Sequence, residues 1–184
     1  DAQLFYRKNK AGQVLQFGIV TADTNEYRKA AQMVAGAWQE LGVLTRITFI
    51  PTKDIAREVL RKRDYDILLY SVIIGNDPDQ YPFWHSSQVD YPGLNLSQYV
   101  NRGIDEKLQK IRDTDNESEQ EKLYKEFQSA LLDDIPAIFL YSPTYTYVLT
   151  DTVKGFAVGH ISHPSDRFSN VTDWYIKTKH IWNF

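Results

Sequence analysis

The chain has 184 residues, 42% of them hydrophobic, with 21 Lys and Arg against 24 Asp and Glu for a formal net charge of -3. That is enough length and apolar content for one good-sized globular domain, and the scattered, slightly acidic charge set gives no footing to nucleic acid or an anionic membrane surface as partner. The lack of cysteine excludes disulfides, thiolate metal sites and a Cys nucleophile, and no run of 18 apolar residues offers a membrane span.

Residues 1–10 have no signal-peptide core. Leu4, Phe5 and Tyr6 followed by a polar run to Gly12 read as a turn entering a strand, as at an internal starting point of a longer protein. Residues 14–20 are a strand by composition. Asp23 and Glu26 have the spacing of a capping box. Behind them Tyr27, Ala30, Ala31, Val34, Ala35, Trp38 and Leu41 form one helical stripe, which Gly42 ends. Val43, Thr45, Ile47 and Phe49 predict a second strand stopping at Pro51, and Thr52 is placed to cap a short helix holding Ile55, Val59 and Leu60. The basic cluster at 57–63 reads as the solvated face of that helix. Residues 67–74 form an apolar run without polar alternation, which predicts an inner strand covered on both faces. The order β-α-β-α-β predicts parallel strands joined by right-handed crossovers, hence an α/β fold with a mixed, partly parallel sheet flanked by helices.

Residues 77–101 are irregular and aromatic, with Tyr81, Phe83, Trp84, Tyr91 and Tyr99 among Pro78, Pro82 and Pro92. A loop of that length in a compact domain is usually functional or a lid. Ile104, Leu108 and Ile111 stripe the next helix. Asn116 with Glu119 caps another, striped by Leu123, Tyr124, Phe127, Ala130 and Leu131 and ended by Ile135 and Pro136. Residues 137–141 and 145–149 have strand composition, and the tail from Gly155 has little periodicity.

The loop leaving the carboxyl end of an inner strand is where open α/β folds place ligands, which directs attention to residues 72–79. Asp77 and Asp79 read either as paired carboxylates for acid–base work or a cation, or as an Asx-type turn with Pro78, and the turn is the favoured reading. Tyr81, Phe83 and Trp84 either stack on a ligand or anchor the loop to the core. His85 sits in no nucleophile context. His160 and His163 have helical metal-pair spacing, but Ser162 and Pro164 argue against a helix there. No glycine-rich phosphate loop occurs.

Several segments, taken in order, resemble the C-terminal half of bacterial extracellular solute-binding proteins of the peptide/nickel class, the dipeptide- and oligopeptide-binding components of ABC importers. Tyr65, Asp66 and Ile67 followed by Asp77, Pro78 and Asp79 resemble that family's YD and DPD landmarks. Phe83, Trp84, His85, Ser86 and Ser87 resemble the loop after it. Leu96, Ser97 and Tyr99, then Ile104, Asp105 and Leu108, resemble the next pair of motifs. The stretches 121–128 and 132–141, then Val153, Lys154, Gly155 and Phe156, complete the order.

The resemblance implies residues 1–184 as a single lobe of a two-lobed fold, with 14–142 as core and 143–184 as a segment returning toward a missing lobe. It implies a monomeric, non-enzymatic protein without a cofactor, at the extracellular face of the membrane or in the periplasm. Membrane association would run only through a lipid anchor outside the fragment. Such a protein captures a peptide or other small-molecule solute in an interlobe cleft and delivers it to a membrane permease. The ligand half-site would be Tyr70, Val72, Ile73, Ile74, Gly75, Asn76, Asp77, Asp79 and Trp84, with the main chain of residues 73–76 binding an extended ligand as an added strand. One departure bears on the ligand. Peptide binders of this family carry an Asp and a Trp just before the DP pair, whereas Ser71, Val72, Ile73, Ile74 and Gly75 include neither. Asp77 alone is placed to meet a cationic group, which points to a blocked, differently shaped or non-peptide ligand. Two other classes stay open on the residues: a small α/β hydrolase-like enzyme using Asp77, Asp79 and His85, and an adhesion module presenting the aromatic loop.

Overall fold

The computed structural model describes residues 5–75, 77–159 and 161–176. The chain divides into two compact units, one made of Asp1–Ser71 with Asp79–Ala137, the other of Val72–Pro78 with Ile138–Phe184. No described helix is long and apolar enough to cross a membrane.

The first unit is built on a three-stranded parallel sheet in the order β2-β1-β3, with β1 Gln16–Ala22, β2 Leu44–Ile50 and β3 Ile67–Leu69. The parallel order expected from the β-α-β-α-β pattern is therefore present, with β1 in the centre. Ile19, Thr21 and Ala22 of β1 are buried. The helix α1 Asn25–Glu40 connects β1 to β2 and lies against both. Its cap is Thr24, whose hydroxyl accepts the Tyr27 N–H at 3.2 Å, and not the expected Asp23. Asp23 stands one residue too early and instead grips the Arg28 guanidinium at 2.5 and 2.9 Å. Gly42 ends the helix at φ +80, the left-handed conformation that glycine adopts without penalty.

Thr52 does not cap the next helical turn. That turn, Ala56–Leu60, is wound with π-type bonds and begins from Ile55 without a side-chain cap. Ile55 and Val59 are buried with Ala22, and Arg57, Glu58 and Lys62 form an ion-paired outer face; Arg63, expected on the same solvated face, is instead half-buried and donates to the Gly93 carbonyl at 2.5 Å.

The expected eight-residue inner strand at 67–74 is corrected to three paired residues at the sheet edge. Its register with β1 runs from Ile19↔Ile67 to Thr21↔Leu69. β1 ends one residue later and the chain turns into α1, so nothing in the ladder continues beside residues 70–74. Val72, Ile73 and Ile74 are 46%, 68% and 43% exposed, where coverage on both faces was expected.

Residues 79–101 hold a short helix α2 Tyr81–Trp84 and a 3-10 turn Ser86–Gln88. Two longer helices follow, α3 Arg102–Asp113 and α4 Glu117–Asp134. Asn101 caps α3, and Asn116 caps α4 by accepting the Glu119 N–H at 3.1 Å, as its spacing predicted. The two stripes meet in one core of Ile104, Leu108, Ile111, Phe127 and Leu131.

In the second unit, β4 Val153–Lys154 pairs antiparallel with β5 Tyr175–Ile176. Around the pair Tyr147, Phe156, Phe168 and Trp174 make ring contacts at 5.4–6.5 Å. Gly155, at φ +79, passes so close to the Asp173 carbonyl that a Cβ would lie 2.1 Å from its oxygen. The strands expected at 137–141 and 145–149 do not form, and Ile138, Phe139, Leu140 and Tyr141 lie exposed.

Candidate functional site

In the first unit the turns between β3 and α3 are fixed by a set of buried and half-buried polar links. Asn95 is fully buried. Its amide nitrogen donates to the carbonyls of His85 (3.2 Å) and Tyr99 (2.8 Å), and its Oδ1 accepts from the Tyr99 N–H and the Ser97 hydroxyl at 3.1 Å each. Asp105 of α3 accepts the Ser86 N–H at 2.8 Å and also the Ser86 hydroxyl. Tyr65 donates its hydroxyl to the Leu96 carbonyl, and Asp66 accepts the Gly18 N–H at 2.8 Å. The landmarks read along the sequence are thus joined to one another by hydrogen bonds in space.

Asp79 is fixed on two sides. Its Oδ1 accepts the Tyr81 N–H at 3.0 Å, an Asx-type turn that runs forward from Asp79 where one with Pro78 was expected, and its carboxylate pairs with Arg112 down to 2.5 Å. Arg112 in turn lies 3.7 Å above the Tyr81 ring. Burial works to raise the Asp79 pKa, but the Arg112 hydrogen bond, the Tyr81 N–H and the Arg112 charge together outweigh it and leave the group below the usual aspartate value. Tyr81 and Trp84 pack on the α3–α4 core, as the anchoring reading of the aromatic loop requires.

His85 stacks on Tyr81 with ring centroids 4.0 Å apart. Its Nδ1 accepts the Ser87 N–H at 3.1 Å, which places the ring proton on Nε2, 3.9 Å from Asp105 Oδ1. The imidazole thus serves as a local cap for the 3-10 turn.

Tyr70 is 37% exposed, and burial, followed by the neighbouring Tyr27, raises its phenol pKa. Just after it, the Ser71 N–H donates to the Tyr27 hydroxyl at 3.0 Å, and the two hydroxyls lie 2.5 Å apart. Val72, Ile73, Ile74, Gly75 and Asp77 all belong to the second unit and are exposed. Asn76, assigned from the sequence to the ligand segment, lies outside the described residues, as does His160. His163 precedes the 3-10 turn Pro164–Phe168, and its N–H donates to Asp166 at 2.8 Å. Among the described residues no group of three or more His, Asp or Glu could hold a metal ion. Sequence reasoning missed Asn95, Asp105 and Tyr27 as organisers, although Asp105 stands inside the motifs that carried the family resemblance and Asn95 directly precedes one.

No family model matches the chain. The oligopeptide-binding protein AppA of Bacillus subtilis is 22% identical over 170 residues, which are 91% of this chain and 30% of that protein. The dipeptide-binding protein of Escherichia coli is 23% identical over 146 residues, 79% of this chain and 27% of that protein. Among solved structures, AppA of Bacillus subtilis in complex with a nonapeptide matches with a TM-score of 0.71 at 21% identity, over 92% of this chain and 33% of its own. NikZ from Campylobacter jejuni in complex with Ni(L-His) matches with a TM-score of 0.66 at 25% identity, over 92% of this chain and 36% of its own. The chain therefore spans about a third of the length of the relatives it matches.

Proposed function

We propose that the chain supplies part of the ligand-binding body of a solute-binding protein of the peptide/nickel class, since it is similar to oligopeptide- and dipeptide-binding proteins in sequence and to a peptide-bound and a nickel–histidine-bound protein in fold. The observation that carries this reading is a likeness in both sequence and fold, each over about nine-tenths of the chain, to one protein whose name states oligopeptide binding, AppA of Bacillus subtilis. The exposed apolar backbone that follows β3 is consistent with it.

In this reading the whole protein captures a peptide or peptide-like solute outside the cytoplasm, acts as a monomer, and hands its ligand to an ABC-type permease without chemical change. Any hold on the membrane comes from a lipid tether outside these residues. Residues 72–76 offer main-chain N–H and C=O groups to an extended ligand, a mode that gives affinity without reading side chains. Asp77 is assigned to a cationic group of the ligand. Tyr70 and Trp84, expected from the sequence to contact the ligand, belong to the first unit, where Trp84 packs on the α3–α4 core. The carboxylate of Asp79 is occupied by Arg112 and the Tyr81 N–H, so its contribution is to hold the loop in shape. The similarity to solute-binding proteins favours this reading over a hydrolase using Asp77, Asp79 and His85, and His85 serves locally as the cap of the 3-10 turn.

The test is a thermal-shift series on the full-length protein with free and N-blocked peptides of two to nine residues and with a nickel–histidine complex, followed by chemical analysis of the recovered ligand. Binding to the native state raises the midpoint with ligand concentration. The expected result is saturable stabilisation by at least one peptide, with ligand recovered intact. No stabilisation by any peptide sinks the peptide assignment. Turnover that stops on Asp79→Asn restores the hydrolase.

A further inference from the structure

β3 ends at Leu69, and the main chain on either side of Tyr70 is held by two side chains from other elements. The hydroxyl of Thr21, a fully buried residue of β1, donates to the Leu69 carbonyl at 2.7 Å. The hydroxyl of Tyr27 accepts the Ser71 N–H at 3.0 Å and shares a second hydrogen bond with Ser71 Oγ. Tyr27 is itself well fixed, since the Thr24 cap holds its backbone and its ring packs on the cluster of Ala22, Ile55 and Val59. Ser71 is the last residue of its unit before the exposed segment Val72–Pro78 begins.

We infer that Tyr27 is a positioning residue for ligand binding, which acts by fixing the backbone of Ser71, the residue from which the segment 72–75 continues. The inference rests on the reading that those residues offer their main chain to the ligand. A strand end whose ladder has stopped is free to rotate about the next few φ and ψ angles. Ligand binding must then select the competent direction, and apparent affinity falls by the fraction of molecules that hold it. A side chain gripping a backbone N–H at that point raises the fraction whatever the residue at 71. The Tyr27 ring is the part that serves the core, and the hydroxyl is the part that serves Ser71, so the two can be separated by removing one oxygen.

The experiment compares Tyr27→Phe, Ser71→Ala and the double variant in the full-length protein by two measurements. One is amide hydrogen exchange at residues 71–73 without ligand; the other is the Kd of a peptide that stabilises the parent protein. A hydrogen bond of ordinary net strength predicts that Tyr27→Phe weakens binding about threefold to tenfold and speeds exchange at residue 71 by a similar factor. Ser71→Ala keeps the N–H on the Tyr27 hydroxyl and is expected to have the smaller effect. The double variant is expected to match Tyr27→Phe. Unchanged exchange at residue 71 in Tyr27→Phe overturns the inference, as does a Kd within twofold of the parent or a Ser71→Ala effect as large as that of Tyr27→Phe. If the parent binds no peptide while Tyr27→Phe speeds exchange, the tether stands and the peptide-binding reading falls.

Discussion

Asn95 is the residue whose loss has the widest reach. Four hydrogen bonds converge on one buried amide, and its removal takes the Asn95 side chain from the Tyr99 carbonyl and N–H, while the His85 carbonyl keeps the Gln88 N–H at 3.0 Å. Asn95→Ala is expected to cost about 2–4 kcal/mol in urea unfolding, well above the typical single substitution. Asp79 carries a pH signature. Its pKa is lowered in the folded state, so the stability it contributes is present above the ordinary aspartate value and is lost as pH falls through the depressed folded value. Asp79→Asn should cost about 1 kcal/mol at pH 7 and should flatten the acid limb of the stability–pH curve below pH 4. An acid limb unchanged by the substitution would refute the Arg112 pairing as its source. At this scale the sequence was partly readable. Asn116 capped the helix its spacing predicted, while the adjacent Asp23 and Thr24 are both good caps, and only the hydrogen bond to the Tyr27 N–H separates them.

Helices and strands differed in how far they could be read. The stripes of α1, α3 and α4 are set by a period that closes within each segment, so their apolar residues announce both the element and its buried face. Phe127 sits at the centre of the α3–α4 core with 3% exposure. Phe127→Ala is expected to cost about 3–5 kcal/mol, measured as a fall in the denaturation midpoint at unchanged slope. A loss below about 1 kcal/mol would mean that the two helices do not share that core. Strand composition carries less information. Residues 67–74 and 137–149 show which side chains favour cover, but a ladder needs a second backbone, and the sequence of one strand does not say where its partner stops. β1 ends at Ala22, one residue past the Thr21↔Leu69 pair, so it offers the stretch expected at 67–74 at most one further partner.

The whole chain was most legible through the order of its motifs, which pointed to the class of proteins that the comparisons then found. The hydrogen bonds linking Tyr65, Ser86, Asn95, Tyr99 and Asp105 give that order a physical basis, since each motif holds another in place. The two units also differ in regular structure. The first has a seven-residue parallel pairing and two helices sharing a core, whereas β4 and β5 pair through only two residues each. Native-state hydrogen exchange should therefore find its slowest amides in β1, α3 and α4, with residues 138–150 exchanging orders of magnitude faster. Comparable protection in both would contradict the division.

That division follows no single cut in the chain. Residues 72–78 leave the first unit and the backbone comes back at Asp79, only to depart again after Ala137. Neither unit is a cassette that recombination could lift out by one crossover. A gene truncated after codon 137 would keep the short excursion and lose everything it folds with, and a graft of codons 138–184 onto another host would arrive without its seven-residue insert.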